Sequence, residues 1–294
     1  MSAEATVTPV LPTEPERAPS PVLRVLRRGV ARYGLRVIAL TYLGLLLAFP
    51  VGYVLYETFA PGVDEVWASV TTPAAISAFW LTVTVALIAV PINTVLGVLA
   101  ALSLVRGRLG RSRFKPVFEA ILDLPFAISP VVVGLALILV YGKTGWFGDE
   151  LADAGIQIIF SLPGMVIATV FVCLPFVARE VIPVLREVGD DQEQAAATLG
   201  ATRWQSFRRI TLPSIRWGVA YGIVLSTARA VGEFGAVSVV SGKISGETET
   251  LPLLVEKRYQ NFDLAGAYAA SALLAVIALG TLLAMTLINP RKDH

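Results

Sequence analysis

Hydrophobic residues run along this chain in long blocks, not in the short alternation of a half-buried soluble strand or helix. Residues 37–56 carry no charge. As a helix they would cover roughly 30 Å, the thickness of a bilayer's hydrocarbon core. Residues 66–105 also lack a charge, a block too long for one helix. Its first part reads as an external, interfacial segment and 80–104 as a second span. Residues 124–142 and 158–178 give spans three and four. The fifth, 218–242, is interrupted only by Arg229 and Glu233, and 264–289 gives the sixth. The pattern predicts an all-α polytopic membrane protein of six transmembrane helices. They form a single membrane domain over 31–290, with its core at 75–285.

Six spans put both termini on one side, and the cations say which. Nineteen of the 24 Lys and Arg residues fall before span one, after spans two and four, or in the C-terminal tail; four fall in the other loops and Arg229 lies within a span. The positive-inside rule therefore predicts cytoplasmic termini and cytoplasmic loops after spans two and four. Residues 1–30 read as a tail that starts disordered and turns basic, and 291–294 as the cytoplasmic C-terminus. The first apolar block begins late and is longer than the roughly 7–15 residues of a signal-peptide core, so it reads as a retained helix.

Composition agrees and adds exclusions. The chain is 55% hydrophobic and 16% charged, with mean hydropathy +0.70, against roughly 25% charged in soluble domains. One Cys (Cys173) and one His (His294) leave no intrachain disulfide, thiolate metal site or Ser-His-Asp arrangement. No catalytic residue and no metal ligand set is expected, and a net charge of +2 gives no sign of nucleic-acid binding. Gly142-Lys143-Thr144 looks like the end of a phosphate-binding loop, but the required earlier Gly is absent, since position 137 is Leu. No nucleotide or other cofactor is therefore expected on this chain.

Within the spans, only the fifth holds charge. Arg229 and Glu233 are four apart, so they read as one helix face turned toward protein or water, not lipid. One reading is a self-neutralising structural pair. The other is the lining of a pathway for a charged solute. The Arg-then-Glu order is the weaker one for pairing along a helix, which favours partners on other helices. Span six, with Ala265, Gly266, Ala269, Ala270, Ala272 and Gly280, offers small-residue faces for close packing.

The cytoplasmic loop at 179–217 is charge-dense yet ordered by its local signals. Asp190 and Asp191 can cap a helix over 192–199, Gly200 can stop it in a left-handed conformation, and Thr202 can cap a second helix ending before Pro213. Trp204, Phe207 and Ile210 then form an apolar ridge. The result is a helix–turn–helix shaped as a docking knob; a loop lying on the membrane surface is the plainer alternative.

Here the residues resemble a family. Gln194-Ala195-Ala196, then Gly200, Ile210 and Leu212-Pro213 match the cytoplasmic signature of ABC importer permeases: Glu-Ala-Ala, three variable, Gly, nine variable, Ile, one variable, Leu-Pro. Gln194 departs from the usual Glu, and Glu193 stands one residue earlier. The stretches at 122–135, 163–185 and 228–253, including Gly232-Glu233-Phe234-Gly235, resemble the oxyanion branch. Within it they look like CysW-type sulfate/thiosulfate permeases more than molybdate or tungstate ones.

The resemblance implies a type I, MetI-like permease fold in a bacterial plasma membrane. It implies a second homologous permease, a cytoplasmic ATPase dimer holding ATP and Mg, and an extracytoplasmic sulfate-binding protein as partners, with Gln194, Ala195, Ala196, Gly200, Ile210, Leu212 and Pro213 contacting or shaping the ATPase dock. A secondary transporter is the different-class alternative. It would want repeated halves with broken helices at its site, and the docking loop would be unexplained. A membrane scaffold without transport is the remaining alternative.

Overall fold

The computed structural model describes residues 34, 36–107 and 112–288, and among these every regular element is helical. The expected tail at 1–30, the C-terminus at 291–294 and the cations Arg108 and Arg111 lie outside the described residues. By contacts the chain divides between Tyr53 and Val54. In the first unit the described segment is the beginning of helix α1 (Arg36–Phe59), with one π-helical turn at Gly44–Ala48. Its Val37, Leu40 and Leu46 are all more than half exposed, as lipid-facing side chains must be.

The second unit opens with a short helix α2 (Val63–Val70) and the long α3 (Pro73–Val105). Span two thus starts seven residues earlier than its hydropathy suggested. Thr72 is the N-cap, its hydroxyl accepting from the Ala75 N–H at 3.3 Å, and Pro73 follows in the first turn. That is a helix start signal which the absence of charge does not reveal. Span three is not one straight helix. It is a pair, α4 (Lys115–Ala127) and α5 (Pro130–Tyr141), bent by 107°. Pro130 pushes the preceding Ser129 out of the helical region (φ −59°, ψ 133°), so the backbone turns there.

After α6 (Gly148–Asp153), α7 (Leu162–Val188) runs ten residues past the predicted end of span four. Arg179 and Arg186 end the apolar run but not the helix. Val181, Ile182 and Leu185 continue its buried face, while Arg179 and Arg186 pair outward with Asp123 and Glu119 of α4. Next come α8 (Asp191–Thr198), α9 (Arg203–Ser206), a π turn (Phe207–Thr211) and α10 (Leu212–Val231). Pro213 therefore lies inside a helix that continues from α9, not beyond its end. The π turn before it carries the backbone across the position whose N–H proline removes. α11 (Gly235–Val240), α12 (Leu251–Gln260) and α13 (Leu264–Ile288) complete the unit.

Among the described residues, four helices are apolar and long enough to cross a membrane (α1, α3, α7 and α13 to Thr281), and the bent α4–α5 pair, taken as one span, makes five. α10 takes the place of the expected fifth span. It is 20 residues long, but Arg216 and Arg229 hold it outside that apolar set.

α7 is the central post. Its Met165, Ala168 and Val172 pack with Val85 of α3 and with Ala236, Val237 and Val240 of α11. Lower down, Val177, Ala178, Val181 and Leu185 pack with Val98, Ala101 and Leu104 of α3 and Ile215 of α10. The three helices meet closely because glycines face Val177 from both sides. A Cβ built at Gly97 would lie 2.7 Å from Val177 Cβ, and one at Gly222 would lie 2.7 Å from Val177 Cα. The small residues of α13 do pack as expected at Ala269, Ala270 and Ala272, each at most 7% exposed. Gly280, by contrast, has open space around it.

Candidate functional sites

The segment from Gly189 to Pro213 is built by local chemistry. Gly189 ends α7 at φ 68°. Asp191 and Glu193 sit in the first turn of α8, where acidic groups complement the positive end of the helix dipole. Asp190 is the N-cap residue, but its side chain makes no capping bond. At the other end, the Ala201 N–H reaches Ala196 O and the Gly200 N–H reaches Ala197 O, both at 3.0 Å, with Gly200 at φ 84°. This is the Schellman pattern, and the φ is one that glycine adopts without a Cβ penalty. Thr202 and Gln205 then form a reciprocal capping box, with bonds of 3.3 and 2.8 Å. The expected helix–turn–helix is therefore present.

Its surfaces separate the named residues. Gln194 and Ala195 face outward, whereas Ala196 is half-buried toward the bundle. Leu199, at the tip, is 88% exposed and Trp204 is 67% exposed. Trp204 stacks on Phe207 at 5.6 Å, and Phe207 in turn packs on the core around Val181 and Ile215. Ile210 is half-buried, and Leu212 and Pro213 are exposed. The capped tip thus carries two exposed apolar side chains, Leu199 and Trp204.

Contacts distant in sequence hold this knob in place. Glu193 Oε2 accepts from Arg106 Nε at 3.2 Å, and Glu193 Oε1 accepts from the Thr211 hydroxyl at 2.8 Å. Arg106 Nη2 also donates to Gly189 O. The available signal was Glu193 itself, an acid next to the departing Gln194.

The second predicted site forms differently from expectation. Arg229 and Glu233 pair with each other, Nη1 to Oε2 at 2.6 Å, and among the described residues neither forms an ion pair with a further helix. They also do not share a helix. α10 ends at Val231, and Glu233 lies in the break before α11, where its Oε1 accepts from the Ala236 N–H at 2.8 Å. One carboxylate thus pairs with a side chain in the last turn of α10 and holds an N–H in the first turn of α11. Glu233 is 2% exposed as a residue, while the Arg229 side chain keeps 30% of its surface open. Cys173 of α7 is buried beside this break and packs with Ala230 and Val231 of α10. Asn93 of α3 is fully buried, and neither of its amide atoms finds a partner among the described residues.

At the opposite end of α3 and α7, Arg258 is a further residue that sequence reasoning placed merely outside. It donates to Ser69 O, Thr72 Oγ1 and Gly266 O, each at 3.0 Å, tying the start of α3 to that of α13. Beside it, Lys257 meets the buried Glu249 at 3.1 Å and Ser245 at 2.7 Å. A cleft of about 810 Å³ opens at this end between Gln157, Ser161, Ile244 and Glu247.

Known proteins resemble this chain over most of its length. The family of binding-protein-dependent transport system inner membrane components matches residues 93–294. A sulfate transport system permease protein CysW from Synechocystis is 52% identical over 90% of this chain and 94% of its own length. The Escherichia coli K12 protein of the same name is 46% identical over 85% and 84%. A Synechocystis sulfate transport system permease protein CysT is 38% identical over 86% and 87%. Among solved structures, a bacterial ABC transporter involved in import of the acidic polysaccharide alginate superimposes at a TM-score of 0.74. It covers 94% of this chain and all of its own, at 18% identity, so that likeness speaks for the fold.

Proposed function

The chain belongs to the family of binding-protein-dependent transport system inner membrane components, and from that premise we propose that it is one permease subunit of an ATP-driven sulfate/thiosulfate importer of the bacterial plasma membrane. It contributes half of the translocation pathway and catalyses no reaction itself. A second, related permease supplies the other half, an extracytoplasmic binding protein delivers the anion, and a cytoplasmic ATPase dimer holds ATP with Mg. Both termini and the 179–217 segment face the cytoplasm, as their cations require.

The observation that carries this reading is the capped, outward-facing knob at Asp191–Ser206 on a chain this similar to CysW proteins. An exposed tip with Leu199 and Trp204 needs a partner to cover it. Gln194 and Ala195 face that partner, while Gly200, Ile210, Leu212 and Pro213 give the dock its shape. Docking there lets ATPase closure bias the bundle between its two access states. The molybdate and tungstate alternatives lose ground to relatives named for sulfate at 46–52% identity.

For the solute, a dianion crossing low-dielectric surroundings needs positive charge that does not hold it too tightly. Arg229, partly open and restrained by Glu233, supplies that charge. Reconstitution with the neighbouring ATPase, partner permease and binding protein, followed by labelled sulfate uptake, tests the whole reading. Uptake should require ATP and be competed by thiosulfate more strongly than by molybdate or tungstate. If Arg229→Ala vesicles with intact assembly import sulfate at the unmodified rate, the role given to Arg229 fails.

A further inference from the structure

Helix α8 presents an unusual mechanical problem. None of its residues is buried; only Glu193 and Ala196 are even half-covered, and the other six are exposed. A helix with no apolar anchor is not oriented by packing, so its polar contacts set its angle to the bundle. Those contacts converge on Glu193. One carboxylate oxygen takes the Arg106 guanidinium at 3.2 Å, and the other takes the Thr211 hydroxyl at 2.8 Å.

Each partner belongs to a different membrane helix. Arg106 is the C-cap residue of α3, and it also donates to the carbonyl of Gly189, the C-cap of α7. Thr211, 4% exposed, is the last residue of the π turn that feeds α10. Four helices, α3, α7, α8 and α10, therefore meet through one carboxylate and one guanidinium. The side chains of that pair are 17% and 23% exposed, more sheltered than the Arg179–Asp123 and Arg186–Glu119 pairs at 40–55%. A π turn is itself a poorly bonded, adjustable stretch and often marks a functional site.

We propose that Arg106, Glu193 and Thr211 form a clamp that transmits tilting of α8 to α3 and α10, so that ATPase closure moves the pathway helices. These are positioning residues; they touch neither ATP nor anion. The idea rests on α8 being the ATPase dock, as argued above. With the clamp intact, α8 cannot rock without carrying the ends of α3 and α10 with it. With the clamp cut, the ATPase still binds the outer face of α8, but its motion is lost in the joint.

The test uses the complete transporter in proteoliposomes, with sulfate as the transported probe and ATP turnover measured in parallel. Glu193→Gln and Thr211→Val should raise the ATP hydrolysed per sulfate imported by roughly fivefold or more, the scale of a typical coupling between sites, with ATPase co-purification unchanged. Thr211→Ser, which keeps the hydroxyl, should keep the normal ratio. An unchanged ratio in both cutting variants overturns the clamp. So does loss of the ATPase from the Glu193→Gln complex, because Glu193 would then be a docking contact and not a transmitter. Leu199→Asp tests the dock separately: ATPase retained there counts against the docking reading, and ATPase lost there with coupled clamp variants counts against the clamp alone.

Discussion

The Arg229–Glu233 pair allows a quantitative test. Glu233→Gln preserves the shape of the side chain and an oxygen that can still accept the Ala236 N–H at 2.8 Å. What it removes is the charge 2.6 Å from Arg229 Nη1. Removing one member of a buried pair costs about 3–5 kcal/mol, because the other charge is stranded. Here the Arg229 side chain is 30% exposed, so the stranded charge is only partly desolvated and the expected loss falls to about 2–3 kcal/mol. Removing both charges with Arg229→Met and Glu233→Gln leaves nothing stranded. Replacing a whole buried pair by uncharged groups is often close to neutral, and the Gln amide adds one unpaired buried donor, so the double variant should lie within about 2 kcal/mol of the parent.

The chain has five Trp residues, so fluorescence can follow unfolding by SDS in mixed micelles for the parent, each single variant and the double variant. The cycle should return a coupling energy of about 3 kcal/mol or more favouring the pair, because each single change strands a charge that the double change does not. The double variant, though folded, should import sulfate poorly. A Glu233→Gln variant as stable as the parent would show that Arg229 is solvated without its partner and that the pair is not a desolvated one.

Three further outcomes follow from the same physics. Gly97→Val places a Cβ 2.7 Å from that of Val177 and 3.0 Å from the Ala178 backbone. Overpacking of this kind costs about 1–3 kcal/mol or more and should show as a lower yield of folded, detergent-solubilised protein. Gly200→Val meets no neighbouring atom within 4 Å but must hold φ near 84°. The strain of about 1–2 kcal/mol should loosen the knob and weaken ATPase co-purification, whereas Gly200→Asn should be milder. Asn93→Leu removes two buried amide atoms without partners and should raise stability by about 1 kcal/mol in the same SDS titration. A loss of that size instead would mean the amide is bonded in the folded protein, through water or a partner subunit.

Much of this fold is legible in the apolar blocks, since lipid-facing helices have to be charge-free over their exposed length. What the blocks do not mark is where helices start, stop or bend. Arg179 ends the lipid-compatible run, but α7 continues because Val181, Ile182 and Leu185 still have α3 and α10 to pack on. The bend at Ser129 follows from the proline after it, yet Pro175 and Pro183 lie inside the unbroken α7. Proline alone therefore does not separate a break from a continuous helix; the neighbours that cover the freed backbone do.

The same limit governs the sites. Capping residues act over three or four positions, so Gly200 and the Thr202–Gln205 box can be read from the chain directly. Glu193 acts across 87 positions to Arg106 and 18 to Thr211, separations that no local pattern encodes. Glu233 misleads for a related reason. Four-residue spacing implies one helix face only while the helix persists, and Gly232 ends it. The carboxylate then does two jobs, neutralising Arg229 and holding the Ala236 N–H. A charge that also caps α11 cannot leave Arg229 without opening the start of that helix. Any anion that competes for Arg229 must therefore work against the α10–α11 break as well as against Glu233, and in the importer proposed above this ties anion occupancy to the helix that the proposed clamp holds at its other end.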